Sequence, residues 1–209
     1  MTQTSSLTRC AICDGIDFSP VCVKQGYRYV QCARCHVVRQ YPYPDAQTLS
    51  EYYQNYQTQK SAGSVYLSDA GFELFKRDKG FTFNDLGIPG SGFTGKSILD
   101  VGCATGQFLQ LLAEHQPARA YGIDTSEQCI AIAKARGLNC DVADFLQIKQ
   151  KVDVISMWHL IEHLPKPLSF IEHAYSLLPE GGWLLLETPV IGSISEAFGA
   201  DWRYYMPVE

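Results

Sequence analysis

A chain of 209 residues is long enough for one domain of ordinary size and a small appendage. Hydrophobic residues make up 46% and charged residues 19%, and the mean hydropathy is -0.10, the composition of a soluble globular protein. No apolar stretch approaches a bilayer span and the opening MTQTSSLTRC has no apolar signal core, so a cytoplasmic protein without a membrane partner is expected. A formal net charge of -5 argues against a protein whose main task is gripping phosphate backbones.

Residues 1–40 carry CAIC and CARC with short strand-like pieces between them, such as YRYVQC. Cys10 and Cys13 form one C-x2-C pair, Cys32 and Cys35 another, and eighteen residues separate them. A two-residue gap lets one turn aim both sulfurs at one point, and two such turns make a tetrahedral cage suited to zinc. Without an export signal, disulfides are the weaker reading. With four cysteines the cage has no open position, so the zinc is structural and supplies stability that so short a segment cannot draw from a hydrophobic core. Cys22 and His36 are spare neighbours; His36 directly follows a ligand and is expected outside the cage. Cys103, Cys129 and Cys140 are scattered and expected to pack as small buried hydrophobes.

Residues 41–95 read as a helical connector. Two prolines in YPYP delay a helix capped near Asp45, a second helix begins at Ser68, and GIPGSGFTG reads as a linker from its glycine and proline. Tyr41, Tyr43, Tyr52, Tyr53 and Tyr56 suggest an interface more than a substrate site. Residues 1–60 hold six Lys/Arg and four Asp/Glu, a balance of about +2, which leaves about -7 for the rest.

From residue 96 the pattern alternates: strands at 97–101, 119–123, 138–142, 152–157 and 183–189, and helices near 105–115, 126–136 and 166–178. Such alternation predicts an α/β fold, a Rossmann-like open parallel sheet with crossover helices. SILDV and DVISMW are apolar almost throughout, as strands covered on both faces should be.

The first strand runs into Asp100-Val-Gly102-Cys-Ala104-Thr-Gly106, then an apolar helix. A dinucleotide loop needs G-x-G-x-x-G, but here position 104 is Ala and position 107 is Gln, and no P-loop Lys-Ser/Thr follows. Asp100 would repel a phosphate. It suits a ligand with an ammonium, a carboxylate and no phosphate, and S-adenosylmethionine is such a ligand. Asp124 ends the second strand, where it can accept ribose hydroxyls, and Thr125 or Ser126 caps the following helix. Asp144, with Asp141 as runner-up, is a candidate for the adenine amino group, and Phe145 for the ring.

Residues 96–190 resemble a class I S-adenosylmethionine-dependent methyltransferase through ILDVGCATGQFL, YGIDTS, VDVISMWHLIEHLPKP and LLPEGGWLLLETP. The four-cysteine segment, YPYP and YYQNY resemble one branch of that family with an N-terminal zinc ribbon. Ala104 departs from the usual middle glycine, tolerably unless its φ must be positive. The resemblance implies a seven-stranded sheet and methyl transfer from a sulfonium to an acceptor nucleophile. The chain stops at Glu209, where the family continues, so residues 96–209 are expected to form an incomplete domain. Five strands in the order 3-2-1-4-5 are expected, with the fifth an exposed edge open to self-association.

The resemblance puts Met157, Trp158 and His159 at the donor-pocket rim, with His159 either a general base or a pocket wall. His159, Glu162 and His163 also match H-x-x-E-H of inverted zinc proteases, but that motif needs a helix, and here it follows a strand end with Pro165 and Pro167 close behind. Glu162 and His163 are expected to make a turn contact. Trp202, Tyr204 and Tyr205 either cap an acceptor pocket or simply pack. The expected acceptor is a small molecule such as a sugar, polyketide or lipid precursor. The alternatives are an RNA held by the ribbon, which Arg9, Lys24, Arg28, Arg34 and Arg39 support only modestly, or a non-catalytic zinc-ribbon interaction protein.

Overall fold

The computed structural model describes residues 9–45, 47–49, 51–52, 68–89, 91–114, 119–202 and 205–206. The N-terminal part is an antiparallel three-stranded sheet of β1 (Phe18–Lys24), β2 (Tyr27–Cys32) and β3 (Val38–Tyr41). Gln25 and Gly26 join β1 to β2 with φ of 50° and 85°, the positive pair that a two-residue hairpin turn requires. Two tight turns bracket the sheet: Asp14 N donates to the Cys10 carbonyl at 3.0 Å and His36 N to the Cys32 carbonyl at 2.9 Å. After the prolines, Thr48 N donates to Asp45 Oδ1 at 2.8 Å, the cap expected there.

Helix α1 (Asp69–Asp85) starts at its cap Ser68, whose hydroxyl accepts from Gly71 N. There follow β4 (Ser97–Val101), α2 (Gln107–Glu114), β5 (Arg119–Asp124), α3 (Glu127–Ala135), β6 (Cys140–Val142), β7 (Val154–Trp158), α4 (Pro167–Leu177), β8 (Trp183–Glu187) and α5 (Ser193–Phe198). The five later strands pair in parallel in the order β6-β5-β4-β7-β8, which is the expected 3-2-1-4-5. Element ends shift from the predicted ones by a few residues. One such shift is at β6, which begins at Cys140 because Gly137, at φ 77°, is still closing the turn after α3.

Apolar side chains fill both faces of this sheet. One cluster holds Phe72, Phe83, Phe93, Ile98, Phe108 and Leu112; the other holds Leu99, Ile123, Phe145, Val152, Ile155 and Met157. Ile98 and Leu99 point to opposite faces, so SILDV is apolar throughout for the reason expected. The segment read as a linker differs: Phe93 is 0% exposed and meets Phe83 edge-on at 5.2 Å and Phe108 at 6.2 Å. It is an irregular but anchored part of the core. Cys103, Cys129 and Cys140 are buried, as expected.

The N-terminal sheet and the residues just after it contact the turn that follows β7 and the segment that follows α5. Tyr43 Oη donates to the His163 carbonyl at 2.9 Å, Lys24 Nζ donates to the Trp202 carbonyl at 3.0 Å, and the Tyr29 and Tyr205 rings lie 4.5 Å apart. No helix among the described residues is long and apolar enough to cross a membrane.

Candidate functional site

In the parallel sheet, β4 pairs with β5 on one side and β7 on the other, and the chain winds in opposite directions from there. A crevice opens outside the C-terminal ends of strands at such a switch point, and ligands of open α/β sheets bind in it. The loop after β4 lies here. Gly102 N and Cys103 N both donate to the Ile123 carbonyl, at 2.8 and 3.0 Å. Gly102 and Gly106 have φ of 73° and 85°, and a Cβ on Gly106 would come within 2.3 Å of Leu138 Cδ1, so both positions favour glycine. Ala104, at φ 46°, adopts the left-handed conformation at the position where the family has its middle glycine. Its N–H donates to Asp124 Oδ2 at 2.9 Å.

Asp124 thus braces the loop, while its Oδ1 accepts from Ser126 N at 2.8 Å. Burial raises its pKa, and the amides of Ser126, Ala104 and Thr125 oppose the rise. Ser126, not Thr125, caps α3, and Thr125 is exposed beside it. Asp100 is 1% exposed, and its Oδ1 accepts from the Ser156 hydroxyl at 2.7 Å. Burial pushes its pKa up to about 7, and the Asp124 charge adds to the rise while Ser156 and Lys79 oppose it.

Toward β6, Asp144 is exposed and its Oδ1 accepts from Leu146 N at 3.0 Å, closing a single turn of 3-10 helix. Phe145 is 3% exposed and sits 4.9 Å from the His173 ring. Asp141 is engaged by Lys134 at 2.5 Å and Tyr121 Oη at 2.8 Å. The rim position expected for Met157 is corrected: it is 0% exposed, inside the second core cluster. Trp158, one residue on, faces the opposite side of the sheet and packs against the first cluster.

On the β7 and β8 side the structure gathers a cluster of charged groups. His159 has φ 50° and is half exposed, and its N–H donates to the Glu187 carbonyl at 2.8 Å. Its Nε2 lies 3.1 Å from Glu187 Oε1, and its Nδ1 lies 3.6 Å from Glu162 Oε1. Lys79 of α1, only 4% exposed, places Nζ 2.7 Å from Glu187 Oε1 and 4.1 Å from the Trp158 ring centroid. Thr82 Oγ1 donates to Glu187 Oε2 at 2.8 Å. The Glu162 carboxylate raises the His159 pKa; burial opposes this and Glu187 adds to it. Burial would raise Glu187, but Lys79 and Thr82 hold it below the ordinary glutamate value. His163 Nε2 is 3.9 Å from Glu162 Oε1, the expected turn contact, on a turn of 3-10 helix (Ile161–His163) that lacks the helical spacing of a zinc-protease motif.

In the ribbon, the sulfurs of Cys10, Cys13, Cys32 and Cys35 all lie within 4.8 Å of one another, with Cys10 to Cys35 and Cys13 to Cys32 each 3.6 Å. Sulfurs of a tetrahedral zinc site, at about 2.3 Å from the metal, sit roughly 3.8 Å apart, so the four thiols fit such an ion. Cys22 and His36 stand outside the group, and His36 is exposed. Tyr205 is 2% exposed against Tyr29, which makes it part of the ribbon contact; Tyr53, Tyr56 and Tyr204 lie outside the described residues.

Residues 83–209 match the family described as a methyltransferase domain. The chain belongs to this family. Among curated relatives, ubiquinone biosynthesis O-methyltransferase of Pseudomonas paraeruginosa is 33% identical over 108 residues, 47% of this chain and 46% of that protein. The enzyme of the same name from Coxiella burnetii is 35% identical over 103 residues, 45% of this chain and 44% of that protein. The match thus spans about half the length of these relatives. Among solved structures, phosphoethanolamine N-methyltransferase 1 of Haemonchus contortus aligns with a TM-score of 0.56 at 19% identity, covering 68% of this chain and 32% of that one. Magnesium protoporphyrin IX methyltransferase of Synechocystis, solved with bound S-adenosylmethionine, aligns at 0.52 and 17% identity, covering 70% of this chain and 82% of that one. These two likenesses concern the fold.

Around this site, sequence reading missed Lys79 and Thr82 of α1 and Glu187 of β8. Glu187 ends an apolar strand as Asp100 nearly does and Asp124 does, which is a visible signal. Lys79 lies on the stripe Phe72, Phe75, Lys79, Phe83 of α1, a cation at an apolar position.

Proposed function

We propose that this chain transfers a methyl group from S-adenosylmethionine to a small-molecule acceptor. The observation that carries the reading is the pair of carboxylates, Asp100 and Asp124, at the tips of adjacent parallel strands around the loop from Gly102 to Gly106. The donor supplies a methyl carbon whose bond to sulfur breaks with the electron pair left on sulfur. In this reading Asp124 accepts the ribose hydroxyls beside Thr125, and Asp144 faces the adenine amino group, while Phe145 stays within the second core cluster. Asp100 supplies negative charge toward the donor's ammonium, which favours its carboxylate form over the protonated form that burial favours. Gly102, Ala104 and Gly106 shape the backbone against the donor, and Trp158 and His159 border the acceptor side. His159 is the candidate general base.

The curated relatives are named as O-methyltransferases, which supports a hydroxyl of a small molecule as the acceptor. We assign residues 1–40 to a zinc ribbon, 41–95 to a connector and 96–209 to the donor-binding domain. Cys10, Cys13, Cys32 and Cys35 hold the zinc, which has no open position and so takes no part in the chemistry.

Calorimetric titration with S-adenosylmethionine tests the donor assignment. Saturable binding competed by S-adenosylhomocysteine is expected, with Asp124→Ala weakening it by about 1–3 kcal/mol, roughly 5- to 150-fold. Absence of heat and of competition would reject the donor, and unchanged affinity in Asp124→Ala would remove Asp124 from its site.

A further inference from the structure

We propose that Ser156 is a positioning residue of the donor site: its hydroxyl holds Oδ1 of the Asp100 carboxylate and so leaves Oδ2 for the donor's ammonium. The proposal deepens the reading of Asp100 as the ammonium's partner and rests on it.

Ser156 is the polar exception in the apolar strand VISMW of β7, and it is fully buried. A hydroxyl in such a place needs a hydrogen-bond partner. Parallel register sets Ser156 beside Asp100 on neighbouring strands, two residues along from the pair of Ile98 and Val154. Alternation puts these four side chains on one face of the sheet, the face that Trp158 shares. The Ser156 hydroxyl donates to Asp100 Oδ1 at 2.7 Å. Among the described residues it is the only hydrogen-bond donor to that carboxylate. A hydroxyl has one proton to donate, so it fixes one carboxylate oxygen and leaves the other. Its bond to an ionised oxygen is stronger than a bond to a neutral acid, so the serine favours the carboxylate.

The groups around Asp100 act in both directions. Burial pushes its pKa up to about 7; Ser156 of β7 opposes the rise, Asp124 at the tip of β5 adds to it, and Lys79 of α1 opposes it. Cys103, in the loop after β4, is itself pushed up by burial and by the Asp100 charge, so it remains a neutral thiol. Lys79 is engaged by Glu187 at 2.7 Å, which leaves Ser156 as the direct contact that tips Asp100 toward ionisation. A carboxyl balanced near neutrality responds strongly to the loss of one donor. Without the hydroxyl the acid form dominates at neutral pH, and an acid attracts an ammonium weakly.

Calorimetric titration of the full chain with S-adenosylhomocysteine, repeated at about pH 6, 7 and 8, tests this. Wild-type affinity should rise with pH as Asp100 loses its proton. Ser156→Ala should bind about 5-fold more weakly at pH 7, with the deficit growing to about 10-fold at pH 6 and shrinking to about 2-fold at pH 8, the pattern of a carboxyl midpoint raised by about 1 unit. Ser156→Thr, which keeps the hydroxyl on a β-branched frame suited to a strand, should restore most of the affinity. Carboxyl-carbon spectra of protein labelled with 13C-aspartate, recorded without ligand and assigned with Asp100→Asn, should show the same upward shift in Ser156→Ala. A deficit equal at every pH, or an Asp100 midpoint that Ser156→Ala does not move, would overturn the proposal. If Ser156→Ala does not fold, wild-type affinity that is flat with pH overturns it. Wild-type protein that binds no S-adenosylhomocysteine at any pH would instead reject the donor reading beneath it.

Discussion

Ala104 is where a single side chain works against its backbone. At φ 46° it occupies the left-handed region, which costs a residue with a Cβ about 1–2 kcal/mol, and its side chain is exposed, so no packing compensates. Ala104→Gly removes the strain but loosens the unfolded chain by part of the same amount. The expected outcome is a net gain of about 0.5 kcal/mol in urea unfolding at unchanged slope; a loss would mean that the methyl group makes a contact the folded loop needs. The requirement for positive φ could be posed from the sequence as a condition on a missing glycine, but only the loop geometry, with Ala104 N tied to Asp124, answers it. The same holds one strand away. Alternation along VISMW separates Met157 from Trp158, so a strand's period of two already implied that only one of them could face a given side.

Helix α1 carries the largest difference between what the sequence made legible and what the fold does. Its start at Ser68 was readable from the cap, and the five strands with their crossovers were readable from apolar alternation, because both signals are local. The pairing of Lys79 with Glu187 spans 108 residues, and no local pattern encodes it. The anchoring of Phe93 against Phe83, Phe108 and Trp183 is equally non-local, which is why glycine and proline around it suggested only a linker. Lys79→Met keeps the apolar stem against Trp158 and Phe75 but leaves the Glu187 carboxylate without its cation. Glu187 is 29% exposed and keeps Thr82 and His159 as partners, so the expected loss is about 1–3 kcal/mol, below that of a fully buried pair. The sign with pH follows from Glu187 being held below the ordinary glutamate value: the pair contributes above that value and is lost as pH falls through the lower folded one. Thermal melts should therefore show the largest deficit of the variant near neutral pH and a shrinking one below about pH 4. An equal deficit at both would assign the loss to packing.

Across the whole molecule, the contacts among the described residues that join the N-terminal sheet to the larger domain include Tyr43 to His163, Lys24 to Trp202 and Tyr29 to Tyr205. Zinc held by Cys10, Cys13, Cys32 and Cys35 should appear at about one ion per chain by elemental analysis. Chelation should abolish amide-exchange protection in β1–β3 while β4, β5 and β7 keep theirs, because the larger sheet has its own two apolar clusters. A metal-free chain with full protection in β1–β3 would refute the cage. The spacing of the two C-x2-C pairs was legible; the docking of the ribbon through Tyr43 and Tyr205 was not, since tyrosines in a connector announce an interface without naming the surface they meet.

The Tyr43 hydroxyl ends on the carbonyl of His163, at the close of the short turn that begins just after His159. A loop that borders a reaction crevice is thus held at its far end by a different part of the chain. Disorder in the N-terminal sheet would therefore reach the loop that carries His159 through this hydrogen bond.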